Sequence, residues 1–210
     1  MDNFCAINLA QVGTTHIRAD ALYIAGDDPG VSLQYGVAFG MEGTTAGNLD
    51  MCDFHDCMIG NAQQAAVWLR SGQPYSVRFS KCSIVNNLGK LGAYSASPYG
   101  VGVLIETGGH SLTLDAITWG RLSVAIKDTT GLCRVAMTGM HDGEHVKRLL
   151  DIAGGINSSW SVTMDCARFE QTTRVRRDYW LLVSHLYRTS GPSSPSRRLT
   201  GCANRSSWWG

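Results

Sequence analysis

Proline is scarce in this chain, five residues in 210, and charge is thin, at 17% of side chains. The first shortage excludes proline-rich linkers, so frequent turning falls to the 24 glycines. The second does not imply disorder, because apolar residues make up 44% and the formal net charge is only +1. That is the composition of a folded globular chain, long enough for one ordinary domain or two small ones. Long apolar runs are also missing. No stretch of about 18 residues is apolar throughout, which excludes a membrane-spanning helix. Met1–Gln11 has neither the basic start nor the apolar core of a signal peptide. The chain is therefore expected to be made in the cytoplasm, for use there or on a virion.

Paired cysteine motifs are absent as well. The seven cysteines, Cys5, Cys52, Cys57, Cys82, Cys133, Cys166 and Cys202, form no C-x-x-C pair and have no histidine at zinc spacing. They are expected to be small buried hydrophobes kept reduced, with no metal and no cofactor. No glycine-rich segment has the arrangement of a phosphate cradle, and no nucleophile elbow occurs.

What is present is repetition. The segments NLDMCDFH (Asn48–His55), SVRFSKCS (Ser76–Ser83), SLTLDAIT (Ser111–Thr118), LCRVAMTG (Leu132–Gly139) and SWSVTMDC (Ser159–Cys166) share one pattern. Leu49, Val77, Leu112, Cys133 and Trp160 align as one apolar column, and Met51, Phe79, Leu114, Val135 and Val162 as the next. A two-residue step between columns is strand periodicity. A second set of segments aligns on Glu42, Arg70, Glu106, Lys127 and Asp151, each preceded by an apolar residue, with a weaker sixth copy at Asp178–Ser184. Copies are 21 to 36 residues apart, so turns vary while strands hold register. Arg148 falls in an inward column of this alignment, which signals a bulge or a misplaced register.

Irregular repeats of short strands with glycine-rich corners predict an all-β chain, a right-handed parallel β-helix (solenoid) of about six irregular coils. The β-helix is expected over 1–187. A tail rich in Ser, Pro and Arg follows at 188–210 and ends in Trp208 and Trp209. From Arg168 onward there are eight arginines and two acids, the composition of a docking arm for an anionic partner. The columns resemble those of the right-handed parallel β-helix family, the pectate-lyase-like and phage-tailspike-like proteins.

That resemblance implies a search for carboxylates on an outward strand face, since relatives of this fold cleave polysaccharides. The densest cluster is CDFHDC (Cys52–Cys57), and Asp53, Asp56 and Asp115 are the residues to test if the chain is a polysaccharide lyase or glycoside hydrolase. The alignment sets Asp115 two coils from Cys52, about 9 to 10 Å away. A polar corner is the plainer reading of the cluster, and no catalytic residue is assigned. Glu42, Arg70, Glu106, Lys127 and Asp151 alternate in sign and are read as a structural charge ladder. Two residues earlier, Gly40, Trp68, Leu104, Ala125, Leu149 and Leu182 are expected to point outward, an apolar stripe suited to a subunit interface. The leading expectation is a non-enzymatic structural or adhesion module, tailspike-like or decorating a virion, assembled as a homotrimer. Trp68, Leu104, Leu149, Leu182, Trp208 and Trp209 would form its interface, and a glycan or a larger assembly would be its partner. No nucleic-acid motif supports the basic tail, so no nucleic-acid partner is expected.

Overall fold

The computed structural model describes residues 5–9, 14–26, 33–40, 49–70, 73–86, 100–107, 110–132, 134–153, 161–170 and 198–201. These residues form fifteen β-strands and no helix. Every strand pairing is parallel. The chain is a parallel β-solenoid, as its repeats predict, and it winds through three sheets in a fixed order.

The first sheet stacks β1 (Cys5–Leu9), β4 (Tyr35–Phe39), β7 (Ala65–Leu69), β10 (Val101–Ile105) and the end of β12 (Thr118–Asp128). The second stacks β2 (Thr14–Asp20), β5 (Leu49–His55), β8 (Val77–Ser80), β11 (Leu112–Asp115) and the start of β13 (Arg134–Ile152). It continues through β14 (Ser161–Glu170) to β15 (Arg198–Gly201). The third is short: β3 (Tyr23–Ala25), β6 (Met58–Gly60), β9 (Ser83–Val85) and the start of β12. The late strands β12 and β13 run around corners without leaving the ladder, so β13 serves all three sheets in turn.

Inward columns fill the interior by stacking like on like. In the second sheet Ala19, Phe54, Phe79, Leu114 and Met137 lie in register. The Phe54 and Phe79 rings stack 4.8 Å apart, and Phe39 from the first sheet meets Phe54 edge-on at 6.3 Å. In the third sheet Ile24, Ile59 and Ile84 lead to Trp119, whose partner in the next rung is Gly143. A single rung of a solenoid cannot bury its own apolar side, and stacking is what closes the core. Each of these phenylalanines removed from water contributes about 1.5–3 kcal/mol.

Corners repeat too. Between the second and third sheets each coil places one residue in the left-handed region: Ala21, Asp56, Lys81 and Ala116 at φ 55°, 53°, 52° and 52°. Their N–H groups donate in turn to the carbonyls of His55, Ser80, Asp115 and Thr138, at 2.8 to 3.0 Å. A left-handed alanine is strained by about 1–2 kcal/mol, and this cross-rung hydrogen bond holds it there. Gly139 takes the same place in the next coil.

At the corner leading into the first sheet the chain turns two consecutive residues inward. Gly36, Ala66, Gly102, Ala125 and Leu149 stand at this point, each just before an inward residue of the regular column. The approach is close, since a Cβ on Gly102 would lie 2.6 Å from the Ala125 carbonyl oxygen.

This doubled inward step and the corner residues correct the register expected from sequence. Met51 is a left-handed corner residue, exposed, and it is Phe54 that pairs with Phe79. Val135 pairs with Leu112 rather than Leu114. Cys133 and Trp160 lie outside the described residues. Arg148 pairs with Val124 on the outer side of the first sheet, half-buried and 3.8 Å from Asp151, so its inward placement came from a misplaced register.

Candidate functional site on the second sheet

The outer face of the second sheet carries two polar columns, side by side. One reads Arg18, Asp53, Arg78, Thr113 and Ala136, and the other Asp20, His55, Ser80, Asp115 and Thr138. Strands place them there because their inward neighbours, Cys52, Phe54, Phe79, Leu112 and Leu114, are taken by the core.

Asp115 is the organising group. Its Oδ2 accepts from the Arg78 guanidinium at 2.8 Å and from the Ser80 hydroxyl at 3.0 Å. Its Oδ1 accepts from the Thr138 hydroxyl at 2.9 Å. Hydrogen bonds from Arg78, Thr138 and Ser80 hold its carboxyl below the usual carboxylate range, against a smaller opposing effect of burial. Nearer the first coil, Arg18 Nε donates to Asp20 Oδ2 at 2.7 Å, and that bond lowers the Asp20 carboxyl. His55 Nδ1 lies 3.4 Å from Asp20 Oδ1. Tyr75, 40% exposed, and Met51, 47% exposed, stand beside one another at the corner that leads into this face.

The three aspartates singled out from sequence do not converge. Asp56 is the left-handed corner residue between Ala21 and Lys81, off the face altogether. Asp53 and Asp115 sit in different columns, two rungs apart, with Arg78 beside the first and bonded to the second. Cys52, expected in the outward column of Asp115, is buried in the core, and His55 occupies that column. Burial pushes the Cys52 thiol up to about 11. His55 belongs to the CDFHDC cluster that the sequence points to, whereas Arg78, Ser80 and Thr138 carry no signal there as site residues. The recurrence Phe-x-x-Cys, at Phe54–Cys57 and Phe79–Cys82, is the signal that sets His55 beside Ser80.

The first sheet's outer face differs from expectation in the opposite direction. Trp68 and Leu104 are paired and point away from the core, as the apolar stripe requires. The stripe then stops: Leu104 pairs with Lys127, and Lys127 with Asp151. Leu149 and Ala125, assigned to the same stripe, instead belong to the main core. Nor is Trp68 open to solvent, being 1% exposed. Its ring stacks on Tyr35 at 3.9 Å, carries the Arg70 guanidinium at 4.8 Å, and donates Nε1–H to Glu106 at 2.8 Å. Leu182, Trp208 and Trp209 lie outside the described residues.

The charge ladder divides in the same place. Arg70 and Glu106 follow the paired Leu69 and Ile105 and so are neighbours, but Lys127 is one rung and two residues away from Glu106's position. The cause is Asp128, which occupies the inward position beside Ile105 and Ile152. It is buried there, its Oδ1 accepting from the Thr130 N–H and hydroxyl. Glu42 lies outside the described residues.

Among the described residues no group of three or more His, Cys, Asp or Glu side chains is arranged to hold a metal ion. No family model matches the chain, and no curated protein or solved structure matches it.

Proposed function

We propose that this chain is a non-enzymatic β-solenoid adhesion module of the tailspike-like kind, and that it contacts an extended glycan along the outer face of its second sheet. The observation that carries the reading is the double polar column centred on Asp115, with Arg78, Ser80 and Thr138 tied to it by hydrogen bonds. Rungs about 4.8 Å apart present carboxylate, guanidinium, imidazole and hydroxyl groups in a straight row, matched to a ligand that repeats hydroxyls along its length. Pre-tied side chains lose little entropy on binding. Tyr75 at the margin offers an aromatic surface to a sugar ring.

Cleavage is disfavoured by the same geometry. A general acid needs a raised carboxyl pKa, and the Asp115 carboxyl is held low by its three donors. Asp56 is a left-handed corner residue and lies off that face.

The test is binding of soluble polysaccharides of varied charge to the full chain, alongside release of reducing ends or unsaturated products. Binding weakened about tenfold or more by Arg78→Ala, with no product released, supports the module. Binding indifferent to Arg78→Ala, or cleavage abolished by Asp115→Asn, overturns it.

A further inference from the structure

We propose that Cys57 and Cys82 are a disulfide site, whose closure staples the second coil to the third at the corner behind the polar face. That corner has one length in both coils. His55 pairs with Ser80 before it and Met58 with Ser83 after it, so Cys57 stands opposite Cys82. The Ser83 N–H donates to the Cys57 carbonyl at 2.8 Å, which ties the two rungs together at this point. Neighbouring rungs lie about 4.8 Å apart, inside the Cα separation of about 4.4–6.8 Å that a disulfide spans. The thiols face one way. Cys57 Sγ lies 3.3 Å from the His55 carbonyl oxygen and 3.6 Å from that of Ala19 in the preceding coil. Cys82 Sγ repeats the arrangement, 3.4 Å from the Ser80 oxygen and 3.3 Å from that of Phe54. Cys82 thus points back towards the second coil and shares a side-chain hydrogen bond with Cys57.

Packing does not call for sulfur at this place. Leu22 and Ile117 hold it in the coils on either side of the pair, so the column accepts a branched aliphatic side chain. The other described cysteines have different neighbours in register: Cys5 pairs with Tyr35, Cys52 with Ile17 and Cys166 with Met140. In the structure Cys57 and Cys82 are free thiols, each 1% exposed. Burial pushes the Cys82 thiol up to about 11, so exchange waits on local opening of the corner. The oxidant is a low-molecular-weight disulfide such as glutathione disulfide. One cysteine loses its proton and attacks it, giving a mixed disulfide and releasing a thiolate that takes up that proton. The second cysteine attacks the protein sulfur of the mixed disulfide and releases the other thiolate in the same way. One S–S bond forms in the protein as one breaks in the oxidant, and two protein hydrogens end on two small thiols. The closed loop of about 25 residues then restricts the unfolded chain.

The experiment equilibrates the folded full chain with reduced and oxidised glutathione and caps the remaining thiols with iodoacetamide. An aspartate-directed protease then parts Cys52 from Cys57 at Asp53 and Asp56, and the peptides are weighed. The expected product is a single linkage, the Cys57 and Cys82 peptides joined and two hydrogens lighter than their sum. Its urea midpoint is expected to exceed that of the chain kept in dithiothreitol, a gap that Cys57→Ala/Cys82→Ala closes. Both thiols recovered capped, either one joined to a different cysteine, or a linked chain no more stable than the reduced one overturns the proposal. The wild-type peptide map decides the linkage even where the double variant folds poorly. Glycan binding at Arg78 is read on the reduced chain, so the staple and the glycan reading fail separately.

Discussion

The outer faces of the first and second sheets are built on the same rungs by the same chain, yet one is closed and the other open. On the first, Tyr35, Ala38, Ala65, Trp68 and Val101 form a small apolar cluster of their own. On the second, the matching rungs carry Asp53, His55, Arg78, Ser80, Thr113 and Asp115. The inward columns close the core of a solenoid by stacking, so each outer face is free to be specialised. The first is spent on packing and the second on polar groups held ready at the surface.

Trp68 is where that contrast is most easily broken. Trp68→Ala removes the stack on Tyr35, the support for Arg70 and the hydrogen bond to Glu106. The expected loss is about 3–5 kcal/mol, read from urea unfolding. A loss under about 1 kcal/mol, the ordinary range for a surface change, would mean the first face is as open as the second.

The corner between the two faces provides the next test. His110 is buried there, its Nδ1 2.7 Å from the Thr107 carbonyl, and its Nε2 accepts from the Arg134 N–H at 3.1 Å. That arrangement requires neutral imidazole with its proton on Nδ1. Burial lowers the folded-state pKa, only partly offset by the Thr107 bond and the Asp128 charge, and Arg134 acts in the same direction as burial. The unfolded chain therefore takes up a proton first. Stability is full above the unfolded value near about 6.5 and falls as the pH drops below it towards the folded value. His110→Ala strands the Arg134 N–H, at a cost of about 1–3 kcal/mol, and flattens this slope in denaturation curves taken between pH 7 and about pH 5. A slope unchanged by the substitution would place the titrating group elsewhere.

Much of this was readable from the sequence, and its errors arise at corners, at irregular steps within a sheet, and in contacts between coils. Period-2 columns identify a solenoid because every coil must repeat its inward residues. They do not reveal corners, where Met51, Asp56 and Ser76 take left-handed conformations and shift the count by one or more. The doubled inward step at Ala66, Gly102 and Ala125 adds another slip within the first sheet. Aligning on charge failed because Asp128 stands in an inward place where its neighbours are Ile105 and Ile152. Trp68 was legible as outward but not as covered, since its Tyr35 and Glu106 partners come from other coils. The Asp115 cluster was missed for the same reason: Arg78, Ser80 and Thr138 are 37, 35 and 23 residues distant in sequence.

Asp115→Asn probes how firmly the open face is pre-tied. Losing the charge weakens the bonds from Arg78 and Ser80 and is expected to cost about 1 kcal/mol at neutral pH, since the Arg78 side chain is 51% exposed and water screens the pair. The folded carboxyl is depressed, so its contribution is present above the unfolded value near about 3.9 and vanishes as the pH falls through the folded one. The stabilities of wild type and variant should therefore converge in acid. A gap that persists at the lowest pH would show that the side chain acts through shape and not through charge.

Thr113→Val is the smallest and most discriminating change. Thr113 lies on the second face between Arg78 and Ala136, and its inward neighbours Leu112 and Leu114 are untouched by the substitution. Valine keeps the β-branched shape that suits a strand, so a solvent-facing position should shift stability by no more than about 0.5 kcal/mol. Leu104→Thr, on the half-buried position beside Trp68, makes the reverse, apolar-to-hydroxyl exchange on the closed face. It should cost more, about 1–2 kcal/mol, because a packed methyl group is lost and a hydroxyl is placed against an apolar cluster. Equal costs at the two sites would remove the distinction between the faces. A clear difference in the predicted order, with Thr113→Val leaving the fold intact but reducing glycan binding, would locate the ligand on the open face independently of any charged residue.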